Sequence, residues 1–224
     1  MEHLTRKQLI DIAAATGDLA GYDLSGLDLE NLDLIAVNFN RSDFKDTKLS
    51  KANCSMSSFE DADLSGCDLS SSNFTGARFR NAAAANADMS FSIFTGADFS
   101  GSDLRNTVFA NSKISHAIFE NADLSGANLQ MTDAALAIFR KARMEEIDAY
   151  GSSMIGANLS GAILYKAKLH GTDLSGADLT SADLTGAALL EVNLTGADLS
   201  NADMHGTQIH RSDMIRTKME NVKK

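Results

Sequence analysis

The stretch Ala157–Met204 reads ANLSG AILYK AKLHG TDLSG ADLTS ADLTG AALLE VNLTG ADLSN ADM, and one pattern returns every five residues. Each unit holds a small residue, usually an Asp or Asn, then Leu, then two residues that are often polar or Gly. A fixed short period is the signature of a repeat architecture and outranks other local signals. Counted outward by fives, the central position falls on Leu24, Phe44, Leu64, Phe79, Leu104, Phe119 and Phe139, then on Met204, Ile209, Met214 and Met219. No residue is inserted or deleted from Leu19 to Met219, which makes forty-one consecutive units. Of the 16 glycines, all but Gly17 sit two places after a central residue. A backbone turn that favours positive φ at that step explains the placement.

The unit resembles the A(D/N)LXX repeat of the pentapeptide repeat proteins, and the resemblance covers about nine tenths of the chain. It implies an all-β solenoid, a right-handed quadrilateral β-helix of about ten coils with a short N-terminal α-helical cap. Four units would make one square turn. The small and central residues would point inward and the other three outward. Coils stacked at strand spacing give a rod on the order of 50 Å long.

Composition narrows the function. The chain has 224 residues, is 44% hydrophobic, carries a formal net charge of −10 and has a sequence pI near 4.8. That charge opposes direct nucleic-acid or anionic-membrane binding and permits a basic protein partner. No apolar run is long enough to span a bilayer, and no basic-then-apolar leader is seen. Cys54 falls at a central position and Cys67 at a small inward one, so both read as buried free thiols in a cytoplasmic protein.

The chain divides into a cap at residues 1–17, a repeat domain at 18–220 and a tail at 221–224. Thr5 and Gln8 fit a capping box, Leu9, Ile10, Ile12 and Ala13 give a rough apolar stripe, and Gly17 suits a helix end, so a helix is expected over about residues 6–15. The last coil presents Met204, Ile209, Met214 and Met219. Either the tail folds over them or a second copy pairs there as a homodimer.

Every twentieth residue should stack. One column reads Phe39, Phe59, Phe79, Phe99, Phe119 and Phe139, which predicts an aromatic core ladder continued by Leu159, Leu179, Leu199 and Met219.

Catalysis finds little support. His3, His116, His170, His205 and His210 show no metal-ligand spacing, the Ser and Asp residues are repeat positions, and the glycines follow the five-residue turn rather than a phosphate loop. No enzyme and no cofactor are expected. Two surfaces are candidates instead. The first is an acidic column, Asp23, Asp43, Asp63, Asp103, Asp123, Asp183 and Asp203. The resemblance implies DNA mimicry for it, because some members of the family bind DNA gyrase or topoisomerase IV in place of DNA and alter quinolone sensitivity. Duplex DNA carries about one charge per 1.7 Å of axis, against about one net charge per 5 Å here. Asp at this repeat position can also serve only to hydrogen-bond nearby backbone. The second is an apolar zone in the middle coils, Phe91, Ile93, Ile118, Met131, Leu136, Ile138, Tyr150 and Ile155, with Arg140 beside it. Vertical clustering of apolar residues at outward positions marks a partner site. The expected function is therefore a non-enzymatic rigid scaffold that binds another, unidentified protein. The alternative is a DNA-mimicking modulator of DNA gyrase or topoisomerase IV.

Overall fold

A computed structural model describes residues 1–224 and shows how a five-residue unit becomes a coil. In most units the central residue's carbonyl accepts a hydrogen bond from the amide three residues on, as in Ala52 N–H to Leu49 O at 3.0 Å and Ala127 N–H to Leu124 O at 2.9 Å. The residue two after the centre has positive φ in every unit from Gly21 to Asn221. That sign at the third turn residue is what a type II turn demands. Glycine supplies it in a minority of units. Asn, Asp, Lys, Arg, Met, Leu and Phe supply many of the others, and no Val, Ile or Thr does. Branching at Cβ crowds the left-handed conformation most.

The residue just before each centre pairs in parallel with the residue twenty places later, from His3↔Asp23 to Asp203↔Lys223. Asn38 N–H donates to Gly17 O at 2.8 Å, and Leu19 N–H donates to Asn38 O at 2.7 Å. Four units therefore make one turn of the helix. Each face contributes one paired residue between two turns, so most of the sheet is a series of single bridges. Only β1 (Ala188–Leu190) and β2 (Gln208–His210) lengthen to three residues, with Leu189 opposite Ile209. The expected all-β solenoid thus takes the form of turns and isolated parallel bridges rather than long strands.

The core is one continuous column of inward residues. Phe79 and Phe99 stack with centroids 4.6 Å apart and planes 5° from parallel, and Phe99 and Phe119 at 5.0 Å and 3°. The column extends to Phe39 through Phe59 and to Phe139. A second column, Phe74 over Phe94, lies edge-on against it. Polar residues at the small inward position are satisfied by one recurring bond. The Ser42 hydroxyl donates to Leu19 O, Thr47 to Leu24 O, and the Cys67 thiol to Phe44 O. No buried side-chain polar atom lacks a partner. Cys54 and Cys67 are free and buried, and burial pushes both thiol pKa values up.

The ends depart from the sequence boundaries. Helix α1 (Arg6–Thr16) has the Thr5–Gln8 capping box at its start and Gly17 at φ 65° at its end. Leu9 is buried, and Ile12 and Ala13 pack on the core. Before the helix, Glu2 and Leu4 already join the ladder, with Asp23 N–H to Glu2 O at 2.8 Å and Leu4 N–H to Asp23 O at 3.1 Å. Residues 1–17 are thus not wholly apart from the repeat. Within residues 221–224 the ladder continues. Lys223 N–H donates to Ala202 O, and its carbonyl accepts from Met204 N–H. Position, more than local composition, decides these segments, since each lies beside a coil with open hydrogen-bonding groups. No helix is long and apolar enough to cross a membrane.

Candidate functional site

One face of the coil stack carries the outward column Asp33, Asn53, Asn73, Ile93, Lys113, Asp133 and Ser153. The turns at Ser90–Phe91, Gln130–Met131 and Tyr150–Gly151 form its leading edge. The turns at Ala135–Leu136 and Ile155–Gly156 form its trailing edge. Phe91, Ile93, Met131, Leu136, Tyr150 and Ile155 therefore border one face, and all six are exposed. Ile118 and Ile138 pair with each other on the next face, round the trailing edge, and are half-buried. Arg140 lies beyond them at the following turn, in an ion pair with Glu120. The zone read as one patch is thus two faces meeting at the Leu136–Ile155 corner. Ile35 and Met56, which sequence reading missed, extend that corner toward the N-terminus and are also exposed. The signal that finds them is the twenty-residue column, since Met56 and Leu136 stand four coils apart in one register.

Three of these residues hold costly backbone. Phe91, Met131 and Leu136 have φ of 57°, 56° and 59°. Bulky side chains adopt that conformation only against steric resistance. Two of them lie flat over glycine of the next coil. Met131 Sδ comes within 2.8 Å of where a Cβ on Gly151 would stand, and Leu136 Cδ2 within 2.9 Å of the same point on Gly156. Glycine there leaves the space the side chain occupies. On the leading edge Tyr150 stacks on His170, with centroids 5.2 Å apart and planes 7° from parallel.

The acidic column stands on another face, in register from Asp23 to Asp203 and broken by Ala83, Arg143 and Ile163. Each of its seven carboxylates accepts the amide two residues on, as in Ser25 N–H to Asp23 at 3.0 Å and Thr185 N–H to Asp183 at 2.9 Å. This Asx turn orders the corner, and most Asp and Asn residues at this repeat position make it. Basic side chains then cover the column. Lys45 reaches Asp63 at 2.7 Å and Asp43 at 3.7 Å, Arg105 reaches Asp103 at 2.6 Å, Arg143 reaches Asp123 at 3.8 Å, and Lys223 reaches Asp203 at 3.9 Å. His3 and His205 pair with Asp23 and Asp203. Asp183 alone has no basic partner. The Ser25 hydroxyl and amide hold Asp23 down to about 2. Hydrogen bonds from Arg105 lower Asp103, and those from His205 lower Asp203. Burial works to raise Asp63, but its bonds to Lys45 and Ser65 outweigh it and leave it lowered.

No cluster of His, Cys, Asp and Glu is arranged to hold a metal ion. His205 Nδ1 is 2.6 Å from Asp203 Oδ1, a pair without a third ligand.

Stacked four-unit coils around one continuous apolar core define a β-helical solenoid. Residues 18–50, 28–66, 62–101, 72–111, 102–140, 142–180 and 177–214 match the family described as pentapeptide repeats, in eight copies, and the chain belongs to that family. Among solved structures it is similar to HetL from the cyanobacterium Nostoc sp. strain PCC 7120, a pentapeptide repeat protein involved in heterocyst differentiation regulation. The two share 27% identity over 95% of each chain, with a TM-score of 0.77. It is also similar to QnrB1, a plasmid-mediated fluoroquinolone resistance protein, at 26% identity over 85% of this chain and 90% of that one, with a TM-score of 0.41. Rfr23 from the cyanobacterium Cyanothece 51142 matches at 31% identity over 38% of this chain and 58% of its own, with a TM-score of 0.38. No curated protein matches the chain.

Proposed function

We propose that this chain is a non-enzymatic scaffold that binds another protein in the cytoplasm, with α1 closing the N-terminal end of the rod and the Ile93 face as the docking surface. One observation carries the reading. Phe91, Met131 and Leu136 are large, exposed and apolar at positive φ, where each costs about 1 kcal/mol that Gly or Asn would not. Every unit has this backbone, so what sets the face apart is that large apolar side chains fill these positions beside exposed Ile93, and a contiguous exposed apolar patch marks a partner site. The similarity to HetL supports a regulatory role exercised by contact. DNA gyrase or topoisomerase IV remains the second reading, and the covered acidic column ranks it there: six of the seven carboxylates already face a basic side chain.

The test uses immobilised full-length protein in a cytoplasmic extract. Ile93→Glu with Leu136→Glu should lose the captured partner, and Asp43→Asn with Asp103→Asn should keep it. Capture indifferent to the first pair removes the Ile93 face from the reading. Inhibition of gyrase supercoiling by added protein, abolished by Asp43→Lys with Asp103→Lys, would put the topoisomerase reading in its place.

A further inference from the structure

The first coil has four upstream edges, and residues 1–17 cover them unequally. At Asp23 both backbone groups are paired, through Glu2 and Leu4. At Asp28 the carbonyl accepts from the Arg6 guanidinium at 2.9 Å, and Glu30 O accepts from the same group at 3.3 Å. At Asp18 the amide donates to the Thr16 hydroxyl at 3.1 Å. Asp33 alone has neither its N–H nor its C=O bonded within the chain, and Ile35 O is open as well. In the coils that follow, the corresponding groups are bonded, as at Asn53, whose N–H donates to Leu32 O and whose carbonyl accepts from Leu34 N–H.

Beside this open edge lies a groove of about 190 Å³ between α1 and the coil. Ile10, Ala13 and Ala14 form one wall, and Leu32, Leu34 and Ile35 the other. Asp33 stands at its rim, exposed. Its carboxylate accepts only from the Asn53 side-chain amide at 3.1 Å and meets no basic residue. The site therefore offers one backbone donor, two backbone acceptors, an apolar slot and a free negative charge.

We propose that this groove binds an extended, basic peptide segment of another protein, which adds one strand to the open edge. The ladder fixes the register. Asp33 N–H donates to the carbonyl of a small inward residue of the peptide. Two positions later, the amide of an apolar residue donates to Asp33 O, and its side chain enters the slot over Leu34. The amide two positions beyond that donates to Ile35 O. The outward residue between the first two is Lys or Arg, opposite the Asp33 carboxylate. Strand addition of this kind takes affinity from main-chain bonds and selectivity from the slot. The site lies at the N-terminal rim of the Ile93 face and shares only Ile35 with it, so Ile93→Glu with Leu136→Glu leaves the groove intact and the two readings fail separately.

The probe is the acetylated heptapeptide amide Lys-Ala-Lys-Leu-Thr-Gly-Lys, titrated into the full-length protein and followed by amide NMR and hydrogen exchange. The expected result is saturable binding, with exchange at the Asp33 amide slowed tenfold or more. N-methylation of the peptide leucine should weaken binding at least tenfold, and so should Ala14→Phe, which fills the slot from an exposed helix position. No saturable binding up to about 1 mM, shifts centred away from Asp33 and Ile35, or binding indifferent to N-methylation would each overturn the proposal. The N-methyl peptide decides the matter even if Ala14→Phe disturbs α1.

Discussion

Phe99 tests the packing most sharply. It is fully buried, stacks on Phe79 and Phe119 at 4.6 and 5.0 Å, and meets Phe94 and Phe109 edge-on or tilted at 5.4 and 5.9 Å. Phe99→Ala removes a ring from the middle of this set. Truncating a buried Phe costs about 3–5 kcal/mol, and the cost rises with the cavity that remains. Here the walls cannot close, because each coil is pinned to its neighbours by bridges such as Asp98↔Ile118 and Arg78↔Asp98. Stacked and edge-on pairs contribute about 0.5–1.5 kcal/mol each beyond their area. The expected loss is therefore at the upper end, about 5 kcal/mol. Phe99→Leu keeps most of the volume and should cost clearly less than Phe99→Ala. The assay is guanidinium unfolding followed by circular dichroism, with amide exchange in the coils on either side. Stacked repeats can unfold in parts, so a separate early transition confined to the middle coils counts toward the same loss. A loss for Phe99→Ala below about 1 kcal/mol, or equal losses for Ala and Leu, would refute a rigid aromatic column.

Phe91→Asn should stabilise the protein by about 0.5–1 kcal/mol, because Asn accepts positive φ more readily than Phe; a lower melting temperature would mean that Phe91 packs on its neighbours in a way that offsets its strain. The lowered carboxylates of Asp23, Asp63, Asp103 and Asp203 predict a pH dependence of definite sign. A folded pKa below the unfolded value of about 3.9 contributes stability above that value and loses it as pH falls through the folded one. The melting temperature should therefore fall from about pH 4 downward and continue falling to about pH 2, where Asp23 protonates; a flat profile across that window would contradict these pairings. Cys54 and Cys67 should resist iodoacetamide in the native protein and react once guanidinium unfolds it, since burial keeps both thiols protonated. Native-state alkylation of either would place it outside the core.

The sequence alone determined the coil. A five-residue period kept in register from Leu19 to Met219 fixes a turn every five residues, and with it which side chains point inward, so the Phe39–Phe139 column is already specified by the period. The glycine positions gave the site of positive φ, although most such sites hold other residues, with Cβ branching the feature they avoid. The candidate surfaces were legible only as columns. That the Asp23–Asp203 column would be tied into Asx turns follows from local geometry, but its pairing with Lys45, Arg105 and Arg143 depends on side chains reaching along and across coils. Likewise the apolar zone divided between two faces, because the turns between Ile93 and Ile118 set a corner through the middle of it. The helix at Arg6–Thr16 was legible from its capping box and Gly17, but how the ends meet the coils was decided by tertiary structure. No period extends through residues 5–16, so nothing in the sequence announced that Arg6 would take the place of a missing strand at Asp28, or that Asp33 would be left unpaired. A repeat specifies hydrogen bonds between its own copies. Where the copies stop, each exposed amide and carbonyl is met by whatever segment the packing of α1 brings within reach.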